Sequence, residues 1–412
     1  MLLLRLALRN LFRYKKRTIL TAFIIAFAIM FYVFADSLVV GMMESSYENI
    51  IDFEFGHIQI VERDYWEERT DYPLENLIKA DDDLLQEINE RFEIVNSSPR
   101  LEFVAQMSDG WDELPVIGRG IEAEREKQTF QLEEALVEGS FLIPGERQAV
   151  IGRDLADDMQ LEIGDVFTLR VRARREDFNI IDLEICGLVN TPNPFINGNL
   201  VYLPLELAQE ALVVGDSYSH LSLSISERGH SQEMAAEISS MLAENKSTYH
   251  AYPWERGAED LIAMKEYSDN MMILILGVIL LMAAAGVVNT ILLSVLERLK
   301  EIGTMKAMGL KIKEITLVLT AEAGGIGLIG GILGCLLGII VVGLFSIYGI
   351  NLYAGLEGEF DLPISMARIY GRWNPGAFVF VFFYSIIVST LAGLFPGYWG
   401  ACKKPVDALE PK

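Results

Sequence analysis

Residues 271–296 and 315–347 form two long apolar runs, each exceeding the about 20 residues that carry a helix across a bilayer. Between them lies ERLKEIGTMKAMG, residues 297–309, a charged helical stretch held close to the membrane surface by its neighbours. Glu297, Arg298, Lys300, Glu301 and Lys306 are therefore expected in water beside the bilayer or against a soluble partner. Two further runs, about residues 19–40 and 376–399, complete four expected transmembrane helices. The chain is 51% hydrophobic yet carries a formal charge of -24, a combination that one compact domain accommodates poorly. The charge is segregated: residues 42–270 hold 48 Asp and Glu against 18 Lys and Arg, a balance of -30, while the remainder holds 16 basic and 10 acidic residues. An acidic globular insert sits in a basic membrane frame.

Lys and Arg in the flanks assign the sides. Arg5, Arg9, Arg13, Lys15, Lys16 and Arg17 precede the first run with no acid among them, residues 297–313 hold five basic residues, and the tail adds Lys403, Lys404 and Lys412. These three segments are expected in the cytoplasm, with both termini inside. The plan is then an interfacial helix (1–18), a first span (19–41), an extracytoplasmic α+β domain (42–267), a second span with its stalk (268–296), a cytoplasmic segment (297–314), a third span (315–347), an outer loop (348–375), a fourth span (376–399) and a tail (400–412). Residues 2–16 read equally as an interfacial amphipathic helix, with Arg5, Arg9 and Arg13 every four residues, or as a plain positive-inside anchor. A cleaved signal peptide competes for the N-terminus, but the apolar run is too long for an h-region and lacks a small-x-small exit. Cys186, Cys335 and Cys402 fall in three different compartments, so no intrachain disulfide is expected.

In the external domain, alternating apolar positions predict strands within 53–61, 166–171 and 180–188, and helical periodicity appears in 82–92, 205–213 and 231–243. About 220 residues suffice for a core of their own, here expected in two lobes. Residues 190–199, with Pro192, Pro194 and Gly198, read as an irregular projecting loop. No strong breaker follows Pro253, so residues 254–270 are expected to run as a helical stalk into the second span.

ERLKEIGTMKAMGLKIKEI resembles the cytoplasmic loop of the FtsX/MacB/LolC-LolE family of ABC-transporter permeases, R-x-x-E-I-G-x-x-[KR]-A-[ML]-G. Arg298, Glu301, Ile302, Gly303, Lys306, Ala307, Met308 and Gly309 stand at the matching positions. LALRNLFRYKKRTILT at the N-terminus, GHIQIVE (56–62), residues 135–169 and 188–212, and the tail with Pro405, Ala408 and Leu409 are similar to the same family. The resemblance implies a membrane protein with four transmembrane helices and a large α+β extracytoplasmic domain, a MacB-like periplasmic core with Porter and Sabre type lobes. It implies a coupling helix, with Glu297 and the eight residues just named, docking on a separate ABC ATPase dimer that holds ATP and Mg, and a second permease protomer, identical or homologous. A bacterial inner-membrane location follows. The LolC/LolE branch suits best, since MacB carries a fused ATPase and FtsX a much smaller external domain; it implies release of a lipoprotein substrate from the outer leaflet. MacB-like efflux and FtsX-like mechanotransmission to a cell-wall hydrolase or a signalling partner are the alternatives. By position, Pro192, Asn193, Pro194 and Phe195 match a loop that engages a periplasmic chaperone in LolC-type permeases, although this sequence does not reproduce that loop closely.

Phe27, Met30, Phe31, Phe34, Met271 and Met272 are bulky, adaptable side chains suited to an acyl chain, or simply to membrane lipid. Gly327, Gly330, Gly331, Gly334 and Gly338 recur at four-residue spacing, a pattern that lets helix backbones approach in lipid. Glu322, near the inner end of the same span, is either buried against a partner helix or hydrated at the interface. No G-x-x-x-x-G-K-[ST] loop occurs, so ATP hydrolysis is expected on another polypeptide and the chain is expected to be non-catalytic. His57, His220, His230 and His250 are scattered without zinc-site spacing, so no cofactor or metal is expected, and so acidic a domain does not suit nucleic acid.

Overall fold

The computed structural model describes residues 15–79, 87–88, 91–175, 177–245, 247–351 and 368–403, together with 7, 9, 11 and 13. The chain divides into two compact units, one of residues 1–43, 264–351 and 369–412, the other of residues 44–263 with 352–368. Among the described residues, four helical stretches are long and apolar enough to cross a membrane: Lys15–Phe55, Glu259–Glu297, Ile312–Tyr348 and Pro375–Cys402. We label the helices α1 (Lys15–Asn49), α2 (Glu259–Glu297), α3 (Leu299–Ala307), α4 (Ile312–Tyr348) and α5 (Pro375–Cys402).

In the first unit, Ile25, Ile29, Leu280, Val287, Ile291, Leu319 and Val381 belong to one buried cluster drawn from all four long helices. The glycines of α4 divide between two neighbours. A Cβ on Gly330 or Gly334 would lie 2.8 Å or 2.7 Å from the Cβ of Ile25 or Ile29 on α1, whereas one on Gly327 would lie 2.7 Å from Ser389 on α5. A Cβ on Gly331 would meet Phe382 of α5, and one on Gly338 would touch both Phe378 of α5 and Val33 of α1. Hydrophobic burial supplies no drive between helices in lipid, so such close backbone approach is the main source of packing energy.

The second unit contains strands β1 (Ile58–Glu62), β2 (Ile78–Lys79), β3 (Ile94–Ser108), β4 (Glu113–Ile121), β5 (Leu136–Gly139) and β6 (Gln148–Gly152). It continues with β7 (Val166–Arg172), β8 (Phe178–Val189), β9 (Leu200–Pro204), β10 (Ser217–Tyr218), β11 (His220–Ile225) and β12 (Tyr249–Pro253). Among the described residues, ten strands join in the order β12-β1-β11-β3-β4-β9-β6-β8-β5, with β7 bridging β3 and β8; β2 and β10 pair separately. Among the described residues, the strands of this sheet contribute to two separate hydrophobic clusters. The hairpin between β3 and β4 turns at Asp109, whose Oδ1 accepts from the backbone N–H groups of Trp111 and Asp112, both at 2.7 Å.

Three local expectations are corrected. Residues 50–55 are not strand but a π-helical turn ended by Gly56, and the alternation of Phe53 and Phe55 records its buried side. Residues 190–199 are not irregular throughout: Pro194–Asn199 is a helix, because the Asn193 side chain caps the Phe195 N–H at 3.0 Å and Pro194 occupies the first turn. The stalk is interrupted, since a short helix Trp254–Gly257 precedes α2. Gly257 packs against the ring of Phe55, where an added Cβ would stand 2.4 Å away. Of the helix expected over 82–92 only Glu87, Ile88 and Arg91, all helical, and Phe92, a bend just beyond it, are described. Residues 352–367, Pro405, Ala408, Leu409 and most of 2–14 lie outside the described residues.

Candidate coupling site

The chain leaves α2 at Glu297, bends at Arg298 with φ -112°, ψ 18°, and forms α3 as a separate short helix. Gly309, at φ 94°, ends the turn that follows, and its N–H donates to the Lys306 carbonyl at 2.9 Å. A left-handed residue there favours glycine. The carboxylate of Glu314 then accepts from the Lys311 N–H at 2.8 Å, fixing the start of α4. Within the segment Ile302 and Gly303 are buried, while Lys300, Thr304, Ala307 and Met308 face outward, Met308 with 69% of its surface exposed. One side of α3 anchors it and the other is open.

Arg298 does not sit in water, as its place in a charged run suggested: its side chain is 7% exposed. Its guanidinium donates through Nη1 to Glu322 at 3.0 Å and through Nε to Glu301 at 2.8 Å. Glu322 on α4 is equally buried, which resolves its two readings in favour of burial against a charged partner. Glu301 also accepts from Arg13 Nη1 at 2.8 Å, and Glu297 from Arg17 Nη1 at 3.2 Å. Hydrogen bonding from Arg298, with Arg13 adding to it, holds the Glu301 carboxyl below the usual carboxylate range. Close by, Thr21 and Thr290 share a 2.6 Å hydrogen bond, and Lys306 Nζ donates to the Lys403 carbonyl at 2.6 Å. The buried Arg298 guanidinium is thus met by two carboxylates on different helices.

The six residues suggested to face an acyl chain differ in exposure. Phe27, Phe31 and Met271 are exposed, Met30 is half-buried, Met272 packs against the helical core, and the Phe34 ring lies 5.3 Å from that of Phe345. Around residues 192–195, Thr191 and Asn197 are buried and mutually bonded, while Phe195 projects at 46% exposure. Among the described residues no three His, Cys, Asp or Glu come together in a group that could hold a metal ion. Sequence reasoning missed the buried pairs Arg100–Glu126, at 2.6 Å, and Arg119–Glu102 in the β-sheet. Arg100 and Arg119 lie within the strands, but nothing in their spacing marks them as buried.

Comparison with known proteins adds the following. The FtsX-like permease C-terminal family matches residues 273–404, and the MacB-like periplasmic core domain matches residues 18–241. An uncharacterized ABC transporter permease of Methanocaldococcus jannaschii is 24% identical over 66% of this chain and 65% of its own length. The macrolide export ATP-binding/permease protein MacB of Nitrobacter winogradskyi is 26% identical over 50% of this chain and 30% of its own. The lipoprotein-releasing system transmembrane protein LolC of Xylella fastidiosa is 22% identical over 77% of this chain and 78% of its own. The chain thus spans under two thirds of the first two of these relatives.

Proposed function

Because this chain belongs to the family of FtsX-like permeases with a MacB-like periplasmic core domain, we propose that it is a permease subunit of an ABC transporter, driven by a separate ATPase dimer. The observation that carries this reading is α3, buried through Ile302 and Gly303 and tied to α4 by the Arg298–Glu322 pair, with Lys300, Thr304, Ala307 and Met308 open for a soluble partner. A docking helix fixed in this way passes a push to α2 and α4 instead of yielding to it. ATP and Mg would be held by the ATPase. Lys and Arg beside the spans favour a cytoplasmic α3, both termini inside the inner membrane, and a periplasmic acidic domain.

The cargo in this reading is a lipoprotein, extracted from the outer leaflet as two permease protomers, identical or homologous, close. The similarity to LolC supports it, since that alignment takes in over three quarters of both chains. The similarity to MacB favours export of a small molecule as the second reading. Depletion of this chain, followed by fractionation of acylated proteins between inner and outer membranes, separates the two. Retention of lipoproteins in the inner membrane is the expected result; unchanged sorting removes lipoprotein release.

A further inference from the structure

The N-terminal half of α4 meets the C-terminal half of α5 closely, because glycines of α5 face the contact. A Cβ on Gly393 would stand 2.3 Å from that of Ala323, and one on Gly397 would lie 3.3 Å from the Cβ of Leu319 and 3.5 Å from the Thr316 carbonyl oxygen. Beside this seam longer side chains stand apart and leave a groove of about 260 Å³, lined by Lys313, Thr316, Leu317 and Thr320 of α4 and by Leu394 and Tyr398 of α5. The first four recur at i, i+3, i+4 and i+7 and the last two at i and i+4, so each set forms one face of its helix. Leu317, Leu394 and Tyr398 are exposed. The groove therefore opens sideways, toward the bilayer that helices of this length and apolarity cross.

One end of the groove is basic. Lys313 is exposed on the first turn of α4, and its ammonium has no hydrogen-bond or ion-pair partner among the described residues. No carboxylate lines the groove, and the neighbouring acid, Glu314, is turned to the Lys311 N–H at 2.8 Å. Lys311 is exposed at the same end, where the dipole of α4 also favours an anion. From Lys313 to Thr320 the helix rises about 10 Å, a depth within the about 15 Å that one leaflet contributes to the hydrocarbon core. A second groove on α5, about 640 Å³ and lined by Val379, Phe383 and Ile387 among others, carries no charged side chain and suits any lipid. The first groove, a cation above an apolar cleft between helices, matches both the head and the tail of an anionic one. We propose that the groove between α4 and α5 holds an anionic phospholipid, its phosphate on Lys313 and an acyl chain between Leu317 and Leu394.

The test uses the full chain in phosphatidylcholine nanodiscs that carry a small fraction of a diazirine-acyl phosphatidylglycerol or of its phosphatidylcholine counterpart, with cross-links mapped by peptide mass spectrometry. The expected result is labelling of residues 313–320 and 394–398 about fivefold stronger with the phosphatidylglycerol probe, the preference that one lysine at a membrane surface gives. Residues 379–387, in the uncharged groove, should be labelled equally by both probes. Lys313→Gln, at an exposed position, should abolish the preference in the first groove and leave labelling of 379–387 as it was. Equal labelling of the first groove by the two probes, a preference that survives in Lys313→Gln, or no labelling there by either probe would overturn the assignment.

Discussion

Arg298→Ala lowers the unfolding free energy of the membrane unit by about 3–5 kcal/mol, the usual cost of breaking a buried ion pair by removing one partner. Both partners qualify: Arg298 is 7% exposed and Glu322 6%, with Nη1 and Oε1 3.0 Å apart. Deleting the guanidinium takes its bond from the buried Glu322 carboxylate and its 2.8 Å bond from Glu301, which keeps Arg13. The double variant Arg298→Met, Glu322→Met replaces the pair by apolar volume and is expected to recover most of the loss. Denaturation of the purified protein in detergent measures both. A single variant as stable as the parent would show that the pair does not anchor α3.

Gly334→Leu is the second large effect. Its first side-chain carbon alone would stand 2.7 Å from the Cβ of Ile29 and 2.9 Å from the carbonyl oxygen of Ala26, and neither is the free end of a flexible side chain. Helix α1 must move away from α4, at a cost of about 1–3 kcal/mol or more. Gly277→Leu on α2 is the matched control, because nothing lies within 4 Å of a Cβ there. The expected outcome is a lower unfolding midpoint for the first variant and no decrease for the second. Equal behaviour would mean that the α1–α4 contact is not a close-packed one.

The membrane frame was legible because a bilayer imposes length and apolarity on every helix that crosses it, leaving few ways to read four such runs. The acidic insert was legible as α+β from its charge and from the alternation that became β7 and β8. The hairpin of β3 and β4 was not, because Ser98, Arg100 and Arg119 interrupt the apolar pattern while lying buried against polar partners. Phe53 and Phe55 misled for the opposite reason: a π-helical turn brought an apparent two-residue period onto its buried side. At the candidate coupling site the residue types marked the segment, but a run of charges reads as uniformly hydrated. Arg298 turns inward because Glu322, 24 positions on and on another helix, waits there, a pairing that sequence spacing cannot express. The interrupted stalk had a visible sign in Gly257, whose meaning depended on the Phe55 ring beside it.

The central claim is that the open side of α3 is the surface on which a separate ATPase pushes. Met308→Cys places a thiol on that side, at a position 69% exposed. Treatment of intact cells with a permeant bifunctional maleimide should join this thiol to an ABC ATPase, identified by mass spectrometry of the linked band. A thiol that forms no such link, and is instead blocked by a membrane-impermeant maleimide added from outside, would contradict the account.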